Sequence, residues 1–216
     1  MSSGRKVCVL GGGAWGTALA KVLADKGDPV ALWCRRDDLA EQINRDHTNA
    51  HYLPAAPLPE HLRATSNLAD ALEGASMVVF VSPSHATRDV ARAARDLIPT
   101  DVPIVSATKG IENDSLMFID EILEAELPPA VHANLAFLSG PSFAKELALE
   151  LPTGVVIAAK NAVVRDVVMR RFHTENLRTY ASDDVIGVEC GGALKNVIAI
   201  AAGAADGLGF GYNTRA

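Results

Sequence analysis

The stretch "KVCVLGGGAWGTALAKVLADKGDPVALW", residues 6 to 33, decides the fold. "KVCVL" (6 to 10) is a short apolar run bounded by glycines, and "PVALW" (29 to 33) is a second. Between them "AWGTALAKVLADKG" (14 to 27) carries apolar residues at helical spacing and stops on Gly27. Short continuous apolar runs on either side of an amphipathic segment read as strand, helix, strand. Gly11, Gly13 and Gly16 supply G-x-G-x-x-G at the first strand-to-helix junction. Each glycine answers a physical need: a tight turn at Gly11, close approach of a pyrophosphate at Gly13, and helix-to-strand packing at Gly16. The free N–H groups and positive dipole end of the helix then favour phosphate. A purely structural glycine turn is the alternative.

Outward from this unit the pattern repeats. "MVVFV" (77 to 81), "PIVSA" (103 to 107), "LAFLS" (135 to 139) and "GVVIAA" (154 to 159) are further apolar runs separated by helical or polar segments. Strands apolar on both faces and alternating with helices predict a doubly wound, Rossmann-type, mostly parallel sheet over residues 1 to 181. From Ser182 the pattern becomes a long small-residue helix reaching about Ala205, with Ser182 or Asp183 as N-cap. Residues 182 to 216 are read as the beginning of an all-helical second domain. So short a segment cannot bury its own apolar face, which leaves three arrangements: a longer chain, packing on the sheet, or a partner chain such as a homodimer.

Composition narrows the function. The 216 residues are 49% hydrophobic and 21% charged, as in a globular protein with a substantial core. A formal net charge of -6 argues against nucleic acid as the main partner. Cys8, Cys34 and Cys190 are odd in number and widely spaced, so neither a disulfide framework nor a metal site is expected, and a reducing cytoplasm fits. The histidines of "RDHTNAHYLP" lack metal spacing. The start resembles no signal peptide, and Val197 to Ala205 is far shorter than the roughly 20 residues of a membrane span, so none is expected.

Ligand-contacting residues are expected at the strand ends. After the second strand "LWCRRDD" places Arg35 and Arg36 where an acidic residue commonly holds a ribose. Two guanidinium groups favour a 2′-phosphate, hence NADP with NAD also accepted; a solvated charge cluster is the alternative, and Asp37 could serve NAD. "SPSHA" (82 to 86), "TKG" (108 to 110) and "GPSFAKE" (140 to 146) follow later strands. Lys109 and Ser142 could face a substrate phosphate, Lys109 being otherwise an exposed loop lysine. His85 reads as a polar loop residue beside the cofactor. Between Gly191 and Ala205 the one charged side chain is Lys195, either a snorkelling residue or a chemical one.

The blocks "GGGAWGTALA", "YLP", "VSPSHA", "ATKGIE", "LSGPSFAKE", "LPTGVVIA" and "DDVIGVECGGALKNVIAIAAGAADGLGFGYNTRA" resemble, in order, bacterial NAD(P)-dependent glycerol-3-phosphate dehydrogenase. The resemblance covers essentially the whole chain. It implies reversible reduction of dihydroxyacetone phosphate to sn-glycerol 3-phosphate, feeding phospholipid synthesis. By motif position Lys195 becomes the proton donor and acceptor, while Lys109, Gly140 and Ser142 help to bind substrate. Ala14, Trp15, Arg35, Tyr52, Lys109 and Ala144 meet the cofactor. Ala14 departs from a family that often has Ser there, so a hydroxyl to the pyrophosphate is missing while the backbone N–H remains. The family pattern also includes a later Asp, a Ser-Arg-Asn run and an acidic residue that these 216 residues do not contain, from which NADP binding with little turnover is expected of this chain. Burial among apolar residues, with Lys109 nearby, is expected to disfavour the charged form of Lys195. A non-catalytic NADP-binding module or sensor, and a sister dehydrogenase acting on another hydroxy acid or sugar, are the competing readings.

Overall fold

The computed structural model describes residues 6–215. In chain order the elements are β1 (Lys6–Leu10), α1 (Ala14–Asp25), β2 (Val30–Trp33), α2 (Asp37–Asp46), β3 (Thr48–Asn49), β4 (Leu53–Pro57) and β5 (Leu62–Thr65). There follow α3 (Leu68–Leu72), β6 (Ala75–Phe80), α4 (Ser84–Ala94), β7 (Ile104–Ser106), α5 (Ile119–Glu126) and β8 (Leu135–Ser139). The last are α6 (Ala144–Ala148), β9 (Thr153–Ala158), α7 (Ala162–Phe172), β10 (Leu177–Ser182), α8 (Val185–Gly207) and α9 (Tyr212–Arg215).

Eight strands form one sheet in the order β10-β9-β8-β7-β6-β1-β2-β5. Every neighbouring pair is parallel except β8 and β9. This is the doubly wound, mostly parallel Rossmann architecture that the alternating runs predict. Both faces are covered, because side chains alternate across each strand. Val7 and Val9 join Leu19 and Leu23 of α1 in one core cluster. Cys8 and Leu10 join Ala91 of α4 and Leu123 of α5 in the other.

The four runs "MVVFV", "PIVSA", "LAFLS" and "GVVIAA" lie on β6 to β9, "LAFLS" matching β8 at both ends and the others shifted by one or two residues. Strands β5 and β10 are the two sheet edges and do not appear among the predicted runs. An edge strand needs no continuous apolar sequence: "LRAT" of β5 alternates buried and open positions, and "LRTYAS" of β10 begins in the same way. The hairpin of β3 and β4 is likewise unpredicted, since "LPAAP" reads as a proline-rich loop.

The N-cap of α8 is Asp184, whose Oδ1 accepts from Gly187 N at 2.8 Å, rather than Ser182 or Asp183. Ser182 is occupied as the last residue of β10, paired with Ala158, so the helix cannot start there. It then runs to Gly207, two residues past the expected Ala205. By length and composition α8 is long and apolar enough to cross a membrane. Its contacts are nevertheless with β8 and β9, and Glu189 is buried.

The antiparallel step has a consequence for the site. Because β9 reverses the direction of β8 and β10 follows β9, β10 ends at the opposite side of the sheet from β8. Helix α8 therefore travels back along β8, about 10 Å between Val185 and Gly192 at 1.5 Å per residue. That distance brings Gly192 beside Ser139, at the end of β8.

Candidate functional site

The carboxyl ends of β1, β2, β6 and β7, with the loop that follows β8, line one cleft of about 680 Å³. The glycine turn forms its floor. Gly11 has φ +139, and a Cβ there would lie 2.6 Å from Val81 O, so only glycine fits between β1 and β6. A Cβ at Gly16 would collide with Gly11 O, which is the close packing of α1 on its own turn. Gly13, by contrast, faces open space: nothing lies within 4 Å of where its Cβ would stand. It is also the N-cap of α1, with no side chain capping the helix, so the first-turn N–H groups face the cleft without a side-chain competitor.

The structure brings the sequence-predicted residues together in two groups. Gly11, Gly13, Ala14, Trp15, Gly16, Arg35, Arg36, Tyr52, Lys109 and Ala144 all line the larger cleft, and so does His85. Ser142 lines it too, nine-tenths buried, its N–H donating to Gly140 O at 2.9 Å. Gly140 and Lys195 instead line a smaller adjoining cleft of about 360 Å³, with Ser139, Pro141 and Gly192. Arg36 is turned back on Asp38, its Nε 3.0 Å from Oδ1. The Asp37 carboxylate accepts from the Ser66 hydroxyl and lies off the cleft wall. Arg35 has no hydrogen-bonding or ion-pair partner among the described residues, which leaves its guanidinium free for a ligand anion.

Lys109 is where the two clefts meet. Its Nζ donates to Gly140 O at 2.9 Å and sits 5.5 Å from the centre of the Trp15 ring. Burial, and then the charge of Lys195, push its pKa below the ordinary lysine value. Lys195 itself is half-buried, with Nζ 5.3 Å from the centre of the Phe143 ring. A Cβ at Gly192 would stand 2.6 Å from Ser139 Oγ and 3.8 Å from Lys109 Cγ, so the absence of a side chain at Gly192 lets α8 approach both. The two adjoining clefts thus hold one lysine each, Lys109 on the Gly140 carbonyl and Lys195 on α8, with an open glycine-lined helix N-terminus in the larger.

Residues 6–164 match the NAD-dependent glycerol-3-phosphate dehydrogenase N-terminus, and residues 184–216 match its C-terminus. The chain belongs to the NAD-dependent glycerol-3-phosphate dehydrogenase family. It is 51% identical over 211 residues to glycerol-3-phosphate dehydrogenase [NAD(P)+] of Leptospira biflexa, covering 98% of this chain and 63% of that protein. It is 52% identical over 208 residues to the protein of the same name from Myxococcus xanthus, covering 96% of this chain and 62% of the relative. The crystal structure of glycerol-3-phosphate dehydrogenase from Coxiella burnetii superposes with a TM-score of 0.88 at 39% identity, over 98% of this chain and 64% of that one. The chain therefore spans somewhat less than two thirds of the length of these relatives.

The two clefts and their surroundings also contain residues that the sequence reading missed. Trp33 lines the larger cleft, its indole N–H donating to Ser66 O at 2.9 Å. Thr108 does so with its hydroxyl donating to Ser82 O at 2.9 Å, and Phe143 forms the wall next to Ala144. Glu189, one and a half turns before Lys195 on α8, is buried against α5, where its Oε1 accepts from Asp120 N at 3.1 Å. Asp120 is equally buried. Burial first, and then the neighbouring Asp120 carboxyl, raise the pKa of Glu189 to about 8. Nothing in "GVECGG" marks this glutamate, because a surface glutamate in a helix would read the same.

Proposed function

We propose that this chain carries the dinucleotide-binding part and the catalytic lysine helix of an NAD(P)-dependent glycerol-3-phosphate dehydrogenase. The reaction is reversible reduction of dihydroxyacetone phosphate to sn-glycerol 3-phosphate, in the cytoplasm, supplying glycerophospholipid synthesis. One observation carries the reading: α8 delivers Lys195 to the smaller cleft at Gly140, and Lys109, held on Gly140 O, links that cleft to the larger one lined by the open helix N-terminus at Gly13.

The residues fit a dinucleotide. Gly13 leaves room for a pyrophosphate against the first turn of α1, Arg35 offers a free guanidinium to a 2′-phosphate, and Trp15 and Tyr52 wall the cleft. Bound NADPH would supply the hydride. As negative charge grows on the substrate oxygen, the Lys195 ammonium stabilises it and donates the proton, and in the oxidative direction the neutral amine accepts the proton back. Lys109, placed by Gly140 O, adds a second donor and favours an anionic phosphoester over a neutral ketone. Gly140 and Ser142 set the loop on which that substrate rests.

The test is Lys195→Met in a chain of the relatives' full length. Turnover of dihydroxyacetone phosphate falls by about 10²–10⁴, the usual contribution of a positioned proton donor, while NADPH still binds. Near-normal turnover by this variant would show that Lys195 is not the proton donor. If the unsubstituted chain binds NADPH but oxidises it with no ketone, the sensor reading replaces the enzyme.

A further inference from the structure

Asn49 is fully buried, yet it lies outside the cleft lining and belongs to no motif of the site. Its amide is fully committed. Nδ2 donates to Gly12 O at 2.9 Å and to Thr17 Oγ1 at 2.8 Å, and Oδ1 accepts from Tyr52 N at 3.1 Å. The partners fix which way the amide points, since Gly12 O can only accept and Tyr52 N can only donate. One side chain thus ties together the glycine turn, the second half-turn of α1 and the loop that carries Tyr52.

The local backbone is built to aim it there. Helix α2 ends at His47 in a left-handed conformation, φ 48, and the pairing of β3 with β4 shifts register between Thr48 and Asn49. A bulge of this kind redirects a side chain out of its regular alternation. It turns Asn49 beneath the glycine loop.

The consequence follows from peptide planarity. In a trans peptide the C=O of one residue and the N–H of the next point in opposite directions. With Gly12 O drawn inward to Asn49, the Gly13 N–H points the opposite way, at a residue that lines the larger cleft. We infer that Asn49 is a positioning residue for dinucleotide binding: by holding Gly12 O it presents the Gly13 N–H to the ligand's pyrophosphate, and by holding Tyr52 N it sets the opposite wall. This rests on the reading of the larger cleft as a dinucleotide site.

The test is equilibrium NADPH binding by this chain, with affinity, stoichiometry and thermal midpoint read together. Asn49→Ala weakens NADPH about 10–100-fold, the loss of a charge-assisted contact that depends on the Gly13 N–H. Asn49→Ser, which keeps a hydroxyl donor for Gly12 O, recovers part of the affinity. Thr17→Val removes the partner that does not touch the loop and leaves the affinity within about threefold of the unsubstituted chain. A merely structural role predicts something else: fewer binding sites per chain and a lower midpoint, with the Kd of the folded fraction unchanged. That result, or NADPH affinity within twofold for both Asn49 variants, overturns the inference. Failure of the unsubstituted chain to bind NADPH would instead remove the dinucleotide reading itself.

Discussion

The glycine turn lines the larger cleft and the Lys195 helix the smaller one beside it, and the two are held in opposite ways. The turn is clamped from every side: Gly11 against Val81, Gly16 against Gly11, Gly12 O on Asn49. Helix α8 buries only Val185 and Glu189, and beyond Lys195 it exposes Val197, Ile198 and Ile200. A fixed peptide geometry is what a pyrophosphate needs, since its partners are backbone N–H groups that cannot re-aim themselves. A long lysine needs only an anchored start to its helix. The buried Glu189, accepting from the Asp120 N–H of α5, supplies that anchor, and the side-chain-free Gly192 supplies the close approach.

The contrast can be broken from either end. The larger expected effect is on α8. The Glu189 pKa is raised from 4.5 to about 8 in the folded chain by burial and by Asp120. Below its unfolded value both states hold the proton and the contact stabilises fully; as pH rises towards about 8 the unfolded chain ionises freely and stability is lost. Lys160, paired with Glu124 at 2.9 Å, faces the two carboxyls and softens the loss. Urea denaturation between about pH 5 and pH 9 should therefore show stability falling by up to a few kcal/mol, and Glu189→Gln should flatten that slope. An unchanged slope in the variant would place the titration elsewhere.

The smaller effect is at the other end. Arg35→Ala should raise the Kd for NADPH about 10–100-fold and leave NADH within about twofold, because only the 2′-phosphate loses its charged partner. Equal losses for both dinucleotides, measured by titration, would assign Arg35 to packing rather than to phosphate recognition.

How much of this was legible in the sequence depends on whether a residue's role is written in its neighbours. The central strands were readable because burial on both faces forces continuous apolar runs such as "KVCVL" and "MVVFV". The edge strands β5 and β10, open on one side, carry no such mark. The glycines of the turn were readable from their spacing, while the small apolar residues around Lys195 left a snorkelling side chain open and only the resemblance singled the lysine out. Asn49 was not, because a buried amide and a solvated one look alike inside "RDHTNAHYLP"; only the register shift at Thr48 shows where the side chain goes. Glu189 was hidden for the same reason. The burial that lowers the pKa of Lys109 was not legible either, because "TKG" reads equally well as an exposed loop.

The most direct test is substrate-dependent oxidation of NADPH by a chain of the relatives' full length, followed by absorbance, with dihydroxyacetone phosphate set against ketones that lack the phosphate. The account predicts oxidation that needs the phosphoester, since the Lys109 and Lys195 cations converge beside Gly140. Oxidation that proceeds equally well with an uncharged ketone, or NADPH that binds without being oxidised by dihydroxyacetone phosphate, would contradict it.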